Sequence, residues 1–111
     1  MDEIEKEYEL AFNIIVLAGE SRSLSNESMD ATENFDFESS ENLIKKAQEQ
    51  FYECHKLHAE LLTNEANGDK YDVNIIMVHA QDHLTLATMA IDNAKRLLKL
   101  YKKLKKMEGG K

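Results

Sequence analysis

The sequence predicts an all-α fold: one antiparallel three-helix bundle, running up-down-up, over residues 1–106. Three observations carry that expectation. Proline and tryptophan are absent, and the four glycines stand at Gly19, Gly68, Gly109 and Gly110. Apolar residues recur at spacings of three and four through three long segments. Turn-forming residues separate those segments at 33–36 and at Asn67-Gly68. A chain of 111 residues with 42% apolar and 32% charged side chains has the composition of a soluble helical domain.

The first helix is expected over about 2–33. Ile4, Tyr8, Phe12, Ile15 and Gly19 repeat at helical spacing, with Leu10, Ile14 and Leu17 widening the stripe. Gly19 in mid-helix costs ~1 kcal/mol against alanine, and a close helix approach is the expected reason for it. Ser21, Ser23, Ser25, Asn26 and Ser28 weaken the second half. Glu33-Asn34-Phe35-Asp36 reads as a turn, with Asp36 as N-cap of a second helix over 37–66. There Ser40, Ile44, Ala47, Phe51, Cys54, His58 and Leu61 alternate spacings of four and three, the seam of a coiled-coil-like bundle. Asn67-Gly68 stops it, since both tolerate the left-handed conformation. After the short link Asp69-Lys70-Tyr71, Asp72 or Asn74 caps a third helix over 73–106, and 107–111 is expected as a disordered tail. Helices of ~30 residues span ~45 Å, and short links make neighbours antiparallel. The methionines and aromatics are expected to fill the core.

The third helix has more apolar surface than two neighbours can cover. Ile75, His79, Asp82, Leu86 and Met89 form one stripe; Ile76, Ala80, His83, Ala87, Ala90 and Ala94 form a second; Met77, Leu84, Ile91 and Leu98 form a third. Such a helix is expected to meet other copies in a closed oligomer; periodicity alone says only that the protein is not a monomer.

Charge is uneven. Residues 1–68 hold 16 acidic and 5 basic side chains, residues 69–111 hold 5 and 9, and the whole chain is −7. The acidic balance disfavours nucleic acid and suits a basic protein partner. The lysines of 99–106 are read as complementing a helix C-terminus. One cysteine, Cys54, excludes an internal disulfide and fits a reducing cytoplasm. The acidic opening Met1-Asp2-Glu3 and the lack of a long apolar run predict neither a signal peptide nor a membrane span.

The chemistry concentrates in Val78-His79-Ala80-Gln81-Asp82-His83-Leu84-Thr85. Positions i, i+3 and i+4 share one side of a helix, so His79, Asp82 and His83 lie together. From Val73 to Ile91 the only formal charge is Asp82, and a carboxylate in apolar surroundings needs a partner or a cation. Neutral imidazole is nucleophilic near pH 7 and forms a labile N–P bond, which suits a two-step phosphoryl relay. His55 and His58 belong to no motif and are read as packing or surface residues; Cys54 is read as a small core residue.

The motif Val-His-Ala-Gln-Asp-His-Leu, with Ala18-Gly19-Glu20-Ser21-Arg22-Ser23 in the first helix and Glu65-Ala66-Asn67-Gly68 before the turn, resembles the lactose/cellobiose-type enzyme IIA of the sugar phosphotransferase system. The resemblance spans nearly the whole chain. It implies a homotrimer of nine helices. It implies that His79 takes a phosphoryl group on Nε2 from the phosphorylated histidine carrier protein and passes it to a cysteine of enzyme IIB, which serves a membrane IIC permease. The sugar would be of the lactose, cellobiose or chitobiose class. Gln81 and His83 are the expected phosphoryl-stabilising donors. Gln81 cannot share the stripe of His79 on one helix, so a neighbouring chain is its expected source. For Asp82 the resemblance implies that three copies share one divalent ion, expected to be Mg2+, which favours carboxylate and water oxygens. One departure is the corner Asn34-Phe35-Asp36, where many relatives carry Gly-Asp; a less regular turn is expected there.

Other classes stay in view. His-x-x-x-His also matches zinc hydrolase spacing, but Ala80 stands where the catalytic glutamate would be. A histidine phosphotransfer domain of a signalling relay ordinarily has four helices. A non-enzymatic helical assembly protein with a metal site is the third reading.

Overall fold

A computed structural model of the chain describes residues 3–68 and 74–109. Three helices account for them: α1 over Glu3–Glu33, α2 over Phe37–Ala66 and α3 over Ile75–Gly109. The result is a rod of 64 × 21 × 19 Å. Contacts between α1 and α2 pair rising with falling residue numbers: Ile14 with Cys54, Ser21 with Ala47, Ser28 with Ser40. That order is the antiparallel arrangement expected of a short link.

Each described boundary has a local cause. Asp36 caps α2, its carboxylate accepting from the Ser39 N–H at 3.2 Å. Hydrogen bonding from Ser39, by side chain and then by backbone, holds the Asp36 carboxyl below its ordinary range. At the other end of α2, Asn67 N–H returns to Thr63 O at 3.0 Å and Gly68 takes φ 108°. Asn74 caps α3, its Oδ1 accepting from Met77 N–H at 2.9 Å; the alternative cap Asp72 lies outside the described residues. The helix then continues to Gly109, three residues past the expected end, so 107–109 are helical rather than part of a tail; residues 110 and 111 are not described.

The corner between α1 and α2 is more regular than expected. Asp36 N–H bonds to Ala31 O and Phe35 N–H to Thr32 O, both at 2.9 Å. This is the Schellman pattern that closes a helix on a left-handed residue. The residue here is Phe35, at φ 59°, where glycine is the usual occupant. The Phe35 ring packs 6.0 Å from Phe37 and 5.3 Å from Tyr101, fastening the corner to α3.

The core differs from the expected stripe on α1. Ala11, Ile14 and Ala18 are buried with Cys54, Leu61, Met77, Ala80 and Ala87. Tyr8 and Phe12, expected inside, are 48% and 59% exposed. Tyr52, Met89 and Met107 are also exposed, so they do not fill the core of this chain. Alanines on all three helices provide the close approach that the sequence assigned to Gly19. A Cβ added at Gly19 meets nothing within 4 Å.

The second half of α1 holds because its serines are used. Ser21, Ser25, Ser28 and Thr32 are buried at spacings of four, three and four, and Ser40 is buried on α2. Ser21 Oγ donates to Ala47 O at 2.7 Å, Ser28 Oγ to Ser40 O at 3.0 Å, and Thr32 Oγ1 shares a 2.6 Å bond with Ser40 Oγ. These bonds let α1 and α2 approach closely and satisfy groups that would otherwise destabilise a buried seam. Ser25 Oγ is the exception, buried without a hydrogen-bond partner among the described residues.

No helix among the described residues is long and apolar enough to cross a membrane.

Candidate functional site

His79 stands in the second turn of α3, just beyond the Asn74 cap. Met77 and Ala80 are buried and anchor this turn in the core, which turns Val78, His79 and Asp82 outward. The His79 Nε2 and His83 Nε2 atoms lie 3.0 Å apart, with the rings edge-on at 88° and centroids 4.4 Å apart. One of the two nitrogens must donate the hydrogen and the other must accept it. His83 is half-buried, and its Nδ1 is buried without a hydrogen-bond partner among the described residues.

An open groove of 640 Å³ adjoins His79, lined by Tyr8, Asn74, Ile75 and Ile76. Its walls are mostly apolar. Tyr8 reaches it from α1, although its helical spacing predicts a place in the core. The available signal was that Tyr8, Phe12 and Val16 repeat every four residues, a stripe separate from that of Ala11, Ile14 and Ala18.

The other expected site residues fall differently. Asp82 is exposed, and Gln81 is half-buried on another side of the helix. At about 100° per residue, Gln81 is roughly 200° around α3 from His79, so one chain does not bring the two together. Among the described residues no three potential metal ligands cluster. A cation at Asp82 would therefore need carboxylates from further copies. His55 stacks on Phe51 at 6.1 Å, and His58 is half-buried; neither joins the His79 site.

Sequence and fold comparisons agree on one family. Residues 9–102 match the family described as PTS system, Lactose/Cellobiose specific IIA subunit. The chain belongs to this family. It is thus a phosphotransferase component, a phosphoryl carrier of a sugar phosphotransferase system. The lactose-specific EIIA component of Lacticaseibacillus casei is 34% identical over 99 residues, 89% of this chain and 88% of that one. The cellobiose-specific enzyme IIA of Bacillus anthracis superposes with a TM-score of 0.87 at 30% identity, covering 95% of this chain and 94% of that one. The IIA(Chitobiose) component of Escherichia coli, in its solution complex with HPr, gives a TM-score of 0.75 at 27% identity, covering 95% and 99% of the respective chains.

Proposed function

We propose that His79 is the residue that carries the phosphoryl group. The observation that carries the reading is the 3.0 Å contact between His79 Nε2 and His83 Nε2 on the open side of α3. For Nε2 of His79 to act as nucleophile it must hold a lone pair. His83 Nε2 is then the donor of the contact, and His83 Nδ1 is a bare acceptor. That assignment suits its burial, because an unpaired buried acceptor is tolerated better than an unpaired N–H.

The donor is the phosphohistidine of HPr. The His79 Nε2 lone pair attacks its phosphorus, the carrier's N–P bond breaks, and the electron pair returns to the carrier's imidazole. The His83 N–H turns from His79 to a phosphoryl oxygen. In the second step the thiolate of a cysteine of enzyme IIB attacks phosphorus, and the His79 N–P bond breaks in the same sense. Each step transfers one phosphoryl group between two nucleophiles, with no net redox change. The start of α3 lies close by, and its dipole favours the incoming negative charge. The apolar groove beside His79 supplies a surface for a docking protein that excludes water. A second copy places Gln81 as a further donor.

The assembly in this proposal is a homotrimer with Asp82 of three chains around one Mg2+. The exposed stripe of Ile75, Leu86 and Met89 beside Asp82 supports a contact between copies. The ion's contribution is to neutralise three carboxylates. By this reading the protein works in the cytoplasm, with enzyme IIB serving a IIC permease for a β-linked disaccharide.

The test is transfer from HPr energised by its kinase. Wild type gains one phosphoryl group per chain, and His79→Gln gains none while staying folded. Phosphorylation of His79→Gln to the wild-type level would reject the assignment.

A further inference from the structure

We propose that Gly19 is a contact point between copies of this chain: the α1 flank of Phe12, Val16 and Gly19 receives the α3 flank of Val78, Thr85 and Met89 from a second copy. The inference rests on the three-copy assembly proposed for Asp82 and extends that contact from α3 to α1. Glycine in mid-helix destabilises α1 relative to alanine, and nothing in the chain's own fold offsets that cost. A Cβ added at Gly19 meets nothing within 4 Å. Gly19 follows Phe12 and Val16 at spacings of three and four, so the three share one face. Phe12 and Val16 are exposed, and Gly19 is half-buried. A glycine in such a stripe leaves a dent that a side chain of another helix can enter.

Height along the rod selects the occupant. α1 and α3 run side by side in one direction: Tyr8 shares a groove with Ile75, Ile76 and His79, and the Phe35 ring lies 5.3 Å from Tyr101. Gly19 is therefore level with about residues 86 and 87 of α3. A ring of copies about an axis parallel to the helices keeps every residue at its own height. Gly19 of one copy then meets the next copy near those same residues. The Met89 backbone stands about 4 Å higher at ~1.5 Å per residue, and helical side chains lean back toward the N-terminus, which brings the Met89 side chain level with Gly19. Met89 is exposed, and its unbranched chain suits an irregular dent. By the same measure Val78 stands near the height of Phe12, and Thr85 between Val16 and Gly19.

The sides match as well. His79 is on the α1 side of α3, where it shares the groove with Tyr8. Asp82 is about 60° further round α3, and Met89, Val78 and Thr85 lie beyond it at roughly 80–120° from His79. Val78 and Met89 are large, apolar and exposed, and Thr85 is exposed. One copy thus carries two different flanks on opposite sides of Asp82. Different flanks joined head to tail close a ring, and a ring with Asp82 at its centre sets each α1 flank against the next copy's α3 flank. None of the six residues is charged, so the contact buries no unpaired charge. Gln81 borders the same α3 flank by helical periodicity, so the contact carries it toward the neighbour's His79, in keeping with its proposed part as a donor.

The experiment is sedimentation equilibrium of the full chain as wild type, Gly19→Leu and Glu20→Leu, with helix content checked by circular dichroism. Gly19→Leu should stay helical, because a Cβ there has open space in its own chain. It should nevertheless dissociate at concentrations about tenfold or more above wild type, as an overpacked contact does. Glu20→Leu, exposed beside Gly19 but outside the stripe, should associate as wild type does. The double variant Gly19→Cys/Met89→Cys, treated with an oxidant, should give disulfide-linked species of up to three chains, and neither single variant should. Trimeric wild type with unchanged association of Gly19→Leu, or no linked chains from the cysteine pair, would overturn the inference and leave the three-copy assembly standing. Monomeric wild type would overturn both together. Slower phosphoryl transfer from HPr in a Gly19→Leu protein that still associates as wild type would assign the flank to the carrier protein and overturn the proposal.

Discussion

His83 is the residue whose chemistry depends most on a single proton. In the proposed relay its Nε2 is the donor that first orients His79 and then meets the phosphoryl oxygen. A hydrogen bond to a charged group contributes ~1.5–3 kcal/mol, so its loss corresponds to roughly ten- to hundredfold in rate. His83→Phe should therefore still accept phosphoryl but lose it to water faster or pass it on more slowly by about that factor. His83→Gln, whose amide can donate, should lie between this variant and wild type. Unchanged transfer and hydrolysis in His83→Phe would reduce His83 to packing. Cys54 is the opposite case, a group kept from reacting. It is buried against Ile14 O at 3.6 Å, and burial pushes its thiol from 9.0 up to about 11. The unfolded chain releases this proton before the folded chain does. The neutral thiol's contribution to stability is therefore complete below 9.0 and lost as pH rises toward 11. Urea midpoints on either side of that window should fall further in wild type than in Cys54→Ala. Parallel decline in the two proteins would mean that the buried thiol titrates freely.

At the scale of the elements, the corner at Phe35 combines strain with fastening. Phe35→Ala removes ring contacts, each ~0.5–1.5 kcal/mol, and keeps the left-handed backbone of φ 59°. Phe35→Gly removes the same contacts and also relieves ~1–2 kcal/mol of strain. The glycine variant should unfold at a higher denaturant midpoint than the alanine variant by about 1 kcal/mol, the reverse of the order inside a helix. An alanine variant equal to or above glycine would mean that the corner does not need a positive φ. The contrast between this corner and the helix cores explains what was legible in the sequence. Caps and seams are local: Asp36, Asn67-Gly68 and the run from Ser40 to Leu61 each identify their own element. The pairing of His79 with His83 is equally local, because i and i+4 suffice. Which face of α1 turns inward is not local. Tyr8 and Phe12 are larger and more apolar than Ala11 and Ser25, so hydrophobicity alone selects the wrong stripe. The choice was made by α2 and α3, whose alanines and serines admit only small partners. The groove at Tyr8 is not legible in the sequence for the same reason.

At the scale of the molecule, the unused apolar surface sets the strongest demand. Tyr8, Phe12 and Val16 on α1 and Ile75, Leu86, Met89, Leu100, Leu104 and Met107 on α3 are large, apolar and exposed in one chain. Scattered apolar residues are ordinary on a surface, but long stripes mark contacts with another protein. On α3 the stripe includes Asp82, so a symmetric contact between copies brings its carboxylates together. Like charges so placed repel, and either a shared cation or a shared proton must compensate. The proposed trimer with Mg2+ and a trimer with protonated carboxylates differ in their response to a chelator. With the ion, EDTA should shift sedimentation equilibrium toward smaller species near neutral pH, and metal analysis should find one ion per three chains. With shared protons, EDTA should change nothing. Asp82→Leu removes the charge and extends the apolar stripe, and replacing buried ionic groups by packed apolar ones is often neutral or stabilising. That variant should remain a trimer, bind no ion, resist EDTA and still accept phosphoryl on His79. Wild-type trimers free of divalent metal in magnesium buffer would remove the ion from the proposal. Monomeric Asp82→Leu would show instead that the carboxylate makes a polar contact essential to assembly.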